Sequence, residues 1–198
     1  MPITLPEIAK HLDTIGWQYR LDEERGYAML GFGTTHHVDL DGDKHIAIWV
    51  EVEASGAYVQ VVLPRVYNLK DCKFKGPVLA VIAEIALRTR SLQCEYDSSD
   101  GEVRYAVDTW VLDNTLTARQ LEMMVRIAVD LLEEYEPVVR HAMTSGKIDF
   151  GLAVKREEPK SEDGPAPLPP EIAELLSRAG GLEGLRAAVE RHVQDGGA

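Results

Sequence analysis

IAIWVEVEASGAYVQVVL, residues 46–63, is the stretch whose reading decides the fold. Ile46, Ile48, Val50 and Val52 alternate with Ala47, Trp49, Glu51 and Glu53. After Ala54-Ser55-Gly56, the residues Ala57, Val59, Val61 and Leu63 alternate with Tyr58, Gln60 and Val62. Period two on both sides of a short glycine-containing loop predicts two paired antiparallel strands. Downstream, Pro77 suits the first turn of a helix, and Val78, Ile82 and Ile85 mark its apolar stripe. A strand over 93–96, an Asp100-Gly101 turn and an alternating strand over 103–111 follow. Thr117 and Gln120 have the spacing of a capping box ahead of a long helix. Its inner face carries Leu121, Val125, Ala128, Leu132 and Tyr135, and Pro137 is expected to kink or end it. Upstream, Thr4 and Glu7 open a helix whose face is Leu5, Ile8, Leu12 and Ile15. Tyr27 to Thr35 reads as extended, and Trp17 to Leu21 alternates weakly.

Hairpin-linked strands with segregated helices predict an α+β fold, an antiparallel sheet with helices packed on one side, in the order α-β-β-β-α-β-β-α. The weak run at 17–21 is an optional further strand. A doubly wound sheet would need strict strand–helix alternation, which is absent. The expected organisation is an α+β domain over 1–143, a proline-rich acidic linker over 144–170 and a short amphipathic helical tail over 171–198. Residues 157–170, EEPKSEDGPAPLPP, hold five prolines in fourteen positions and favour a semi-stiff tether. Beyond it, Ile172, Leu175 and Leu176 form one apolar stripe, and Leu182, Leu185 and Val189 another.

The 198 residues carry 33 acidic against 21 basic side chains, a net charge of −12. That average field repels phosphate backbones, so direct nucleic-acid binding is disfavoured, whereas a basic protein partner is favoured. No apolar run is long enough to span a bilayer, and no secretory leader is evident. Two cysteines, Cys72 and Cys94, lie in no metal or redox spacing. Together these point to a soluble protein of the cytoplasm.

Chemistry-bearing motifs are sparse. Gly31-Phe32-Gly33 lacks the third glycine of a dinucleotide fingerprint and sits inside a strand run. His36 to His45 packs three histidines and three aspartates into ten residues. His36, Asp39, Asp41 and Asp43 are the candidates for a cation there. A calcium loop begun at Asp39 would need Gly at position 6 and Glu at 12, and finds Lys44 and Val50. The simpler reading is a polar loop with an Asp41-Gly42 turn. Glu133, Glu134 and Glu136 read as the solvated face of the long helix. No catalytic residue is identified and no cofactor is implied. The more informative signal is aromatic side chains among charges on sheet faces that solvent would meet. Trp49 lies with Glu51 and Glu53, and Trp110 with Arg104 and Asp108. Trp49, Tyr58, Trp110 and Met124, with Leu175 and Leu185 of the tail, are the candidate protein-binding residues.

The segment PVLAVIAEIALRTRSLQCEYD (77–97), the following GEVRYAVDTWV (101–111) and the helix LTARQLEMMVRIAVDLLEEYEPVVRH (116–141) resemble the YbjN family of bacterial proteins over roughly residues 4–143. That family is similar in fold to type III secretion chaperones, small acidic cytoplasmic proteins that hold segments of clients. The resemblance implies a non-enzymatic adaptor or chaperone-like homodimer without cofactor. With the acidic balance, the implied client is basic, for example a protein that itself handles nucleic acid. It supplies no functional residues to carry over. The alternative is a small-ligand or metal-dependent sensory or regulatory module.

Overall fold

The computed structural model describes residues 2–89, 91–112 and 115–154. They belong to one compact unit, Met1–Arg156, while a second unit, Glu157–Ala198, lies outside them. The linker beyond residue 154 and the tail with Leu175 and Leu185 therefore fall outside the described residues.

The hairpin forms where the alternation places it, with β3 at His45–Glu53 and β4 at Tyr58–Asn68. Before it come α1 (Leu5–Ile15), β1 (Arg20–Asp22) and β2 (Tyr27–Gly33). After it come α2 (Lys75–Arg88), β5 (Gln93–Tyr96), β6 (Glu102–Trp110) and α3 (Ala118–Ser145). The weak run at 17–21 thus contributes a short fourth strand ahead of α2. All six strands pair antiparallel in the order β1-β2-β3-β4-β6-β5.

Pleating sends alternate side chains to opposite faces, so one sheet face carries Leu30, Ile48, Val50, Val61, Leu63, Tyr105 and Val107, all buried. Ile8 and Leu12 of α1, Val78, Ile82 and Ile85 of α2, and Leu121, Val125, Ala128 and Leu132 of α3 join them in one core. Burying each such aliphatic side chain contributes about 1.5–3 kcal/mol, so the helices are held to this face by area more than by propensity. Capping boxes start α1 at Thr4 and α3 at Thr117, and left-handed glycines, Gly16 and Gly146, end them.

Two departures from the sequence reading have local causes. β4 continues past Leu63, because Arg65 takes a left-handed conformation (φ 49°) and the register with β6 jumps between Leu63 and Tyr67. That bulge resumes pairing at Tyr67–Val103. Helix α3 runs through Pro137 to Ser145. The proline forfeits one main-chain bond and crowds the preceding turn. In that turn the Val154 N–H meets the Glu134 carbonyl at 2.9 Å. Val138, Val139 and Ala142 beyond the proline are fully buried, which is what carries the helix onward.

Candidate functional site

The second face of the sheet carries no helix of the described residues. Its composition follows from the same alternation that built the core. Across the strands, register aligns Tyr27, Glu51, Gln60 and Asp108 in one row. Met29, Trp49, Val62 and Ala106 form the next. Glu53, Tyr58 and Trp110 form a third. Residues directly opposite share a face, so these rows make one continuous surface.

Aromatic rings organise it. Trp49 stacks on Tyr27 with centroids 5.2 Å apart and planes 15° from parallel. Tyr58 and Trp110 lie 5.0 Å apart at 55°. Trp49 is half-buried beneath its neighbours, whereas Trp110 is 63% exposed. The Tyr58 hydroxyl donates to Asp108 Oδ2 at 2.7 Å, and Gln93 Nε2 donates to Asp108 Oδ1. Burial and that carboxylate together push the Tyr58 hydroxyl up to about 12, so it stays a donor.

The charges on this face are mostly negative. Asp22, Glu51, Glu53, Glu95, Glu102 and Asp108 stand against Arg20 and Arg104, by strand position. Arg104 is engaged by Glu95 across the β5–β6 pair. Desolvation raises the pKa of Glu51, Glu53 adds to the rise, and Arg104 offsets part of it. The face therefore holds a carboxylate that a cationic side chain would relieve. A groove of ≈ 400 Å³ opens between it and the β2–β3 loop, lined by Tyr27, Met29 and Trp49 and bordered by both signs of charge, Asp39 and Asp41 with Arg25 and Arg65.

The candidates divide by position. Trp49, Tyr58 and Trp110 share this face, Tyr58 with Trp110 in one pair and Trp49 with Tyr27 in another, separated by the Glu51–Gln60–Asp108 row. Met124 lies elsewhere, on α3, only 8% exposed, while its neighbour Met123 is 51% exposed. Both line a cleft between α3 and the end of β6. His36, Asp39, Asp41 and Asp43 do not assemble. The Asp39 carboxylate accepts the N–H groups of Asp41 and Asp43 at 2.9 Å each, and Gly42 (φ 94°) completes a turn. Among the described residues no three histidine, cysteine or acidic side chains are placed to hold a metal ion.

The reading of Glu133 and Glu136 as a solvated helix face is corrected. Glu136 is 2% exposed and gathers Tyr67 Oη–H at 2.5 Å, His37 Nδ1 at 2.9 Å and Arg140 Nε–H at 2.5 Å. Glu133 accepts the backbone N–H groups of Thr35, His36 and His37 at 2.6–2.9 Å. Arg140 also donates to the Val38 carbonyl. Two acids on one helix thereby clamp the β2–β3 loop that borders the groove. The signal available in sequence was their spacing: Glu133, Glu136 and Arg140 recur at i, i+3 and i+7, one helical side.

The family model YbjN, described as a putative bacterial sensory transduction regulator, matches residues 4–141. No curated protein matches the sequence. Among solved structures, E. coli YbjN, described as a putative transcription regulator, is similar at TM-score 0.52 and 10% identity, over 70% of this chain and 91% of that one. A chain of the HopA1-SchA chaperone-effector complex is similar at TM-score 0.41 and 13% identity, over 63% and 83%.

Proposed function

The chain belongs to the YbjN family, and from that premise we propose that it is a non-enzymatic, protein-binding adaptor of chaperone-like character, in which the sheet face that bears no helix of the described residues receives a basic client. The single observation that carries this reading is that two aromatic pairs, Tyr27–Trp49 and Tyr58–Trp110, share that face among an excess of carboxylates. Large rings in a partly desolvated, charged surround are what protein hot spots are made of. The surrounding acids would steer a basic partner and raise its rate of encounter. A protein that itself handles nucleic acid has the required charge.

A non-catalytic role is supported by where the buried charge is spent: Glu136 has its oxygens taken up by His37, Tyr67 and Arg140. Two free cysteines, with burial pushing the Cys94 thiol up to about 12, agree with a reducing cytoplasm. Leu87, 80% exposed at the end of α2, offers apolar surface for a homodimer. Among the described residues no helix is long and apolar enough to cross a membrane.

Affinity capture of the full-length chain from its native lysate, with the complex mass read by light scattering, tests this reading. A stoichiometric basic protein that is retained at low salt and released at high salt is expected, because exposed charge pairs are screened by salt. Recovery of the chain without a protein partner at low salt would overturn it.

A further inference from the structure

Among the described residues, the sheet has an unfinished edge beside β5. Strand β5 pairs with β6 only from Gln93–Ala106 to Tyr96–Val103, so residues 107–110 of β6 run on past its end. Two main-chain bonds fix which way their backbone groups point. Val111 N–H donates to the Ala57 carbonyl at 2.7 Å, on the β4 side. Asp97 N–H donates to the Glu102 carbonyl at 2.9 Å, on the β5 side. Alternation along the strand then sends the N–H and C=O of Asp108 and Trp110 toward the β5 side. They have no strand partner there among the described residues.

Beside this edge the sheet and α3 part to leave a cleft of ≈ 350 Å³, lined by Val107, Thr109, Leu116, Met123, Met124 and Ile127 among others. Trp110, Leu112 and Met123 at this end are each more than half exposed. Unpaired strand edges next to apolar side chains are where extended segments add.

Resting on the protein-binding reading, we propose that residues 107–110 accept an added strand from the partner, and that its sequence alternates basic and apolar residues. The two sides of the edge dictate the alternation. Partner residues opposite Asp108 and Trp110 share their face of the sheet. There they meet a carboxylate that Tyr58 and Gln93 already hold in place, and an exposed indole. Lysine or arginine answers both, through an ion pair and a cation–π contact. The partner residue opposite Thr109 points to the helix side, into the cleft with Met123 and Met124. An aliphatic side chain fits there, and methionines adapt to its shape.

The test is to pan displayed random hexapeptides on the full-length chain and to map the enriched peptides by amide hydrogen exchange. The expected peptides alternate Lys/Arg with Val, Ile or Leu and slow exchange at Asp108 and Trp110 at least tenfold. Asp108→Pro, which removes an edge N–H without touching the ladder to β4, abolishes their binding. Asp108→Ala keeps the N–H and weakens binding several-fold. Should the proline variant fail to fold, exchange at Asp108 and Trp110 in the unaltered chain decides alone. Peptides that bind but protect other amides overturn the edge site while sparing the protein-binding reading. Both fail together if no peptide is enriched and no protein partner is captured. Protection of both amides in the chain alone also overturns the proposal. If it grows with protein concentration, the edge belongs to a second copy, and if not, to the chain itself.

Discussion

Burial acts on Glu51 and Glu136 alike, yet their pKa values move in opposite directions. On the open face, desolvation and Glu53 raise Glu51. In the core, desolvation would raise Glu136 too, but the bonds from His37, Tyr67 and Arg140 outweigh it and the pKa falls below the ordinary 4.5. The consequences for stability have opposite signs. Ionised Glu51 opposes folding, and the cost grows as pH rises through its raised pKa. Glu51→Gln is therefore expected to raise the denaturation midpoint at neutral pH, with the gain vanishing as pH falls below about 4. Ionised Glu136 favours folding above the unfolded carboxylate value, and that contribution is lost as pH falls through its depressed pKa. Glu136→Ala is expected to cost about 3–5 kcal/mol at neutral pH, as removal of one member of a buried pair does. Its deficit relative to the natural chain should shrink on acidification. Urea titrations of both variants across pH check these signs. The protein thus keeps one carboxylate for loop anchoring and leaves the other in a position that a cationic partner would improve.

Among the elements, turn geometry shows most directly how much the sequence specifies. Asp100-Gly101 reads as a turn, and the structure gives Gly101 a φ of 84°. A Cβ there would lie 2.3 Å from the Lys70 backbone nitrogen, in the chain that leaves β4. Gly101→Ala combines that overlap with about 1–2 kcal/mol of left-handed strain. It should lower the thermal midpoint by more than a solvent-facing substitution at Ser99 does, as calorimetry would show. Strands β3, β4 and β6, the capping boxes and the inner face of α3 were legible because each is a local pattern. The aromatic face was legible for the same reason, since alternation puts Trp49 and Trp110 opposite the core residues. The continuation of β4 was hidden by Pro64 and the left-handed Arg65, which break period two. The passage of α3 through Pro137 depends on tertiary burial of Val138, Val139 and Ala142. The His37–Glu136 contact joins residues 99 apart, and no local pattern announces it.

For the whole molecule, a net charge of −12 accompanies a sheet whose described helices share one core on one face. Among the described residues the helices take the apolar face of the sheet, and the other face concentrates rings and carboxylates. On the proposed reading, the acidic excess would steer this surface toward basic proteins. The most direct measurement of this account is the affinity for the captured partner of a chain carrying Trp49→Ala and Trp110→Ala, compared with the natural chain. Stability of each is checked in parallel by urea denaturation. The account predicts that partner affinity falls at least about a hundredfold, as loss of two aromatic anchors does, with the variant still folded. An unchanged affinity in a folded variant would contradict it.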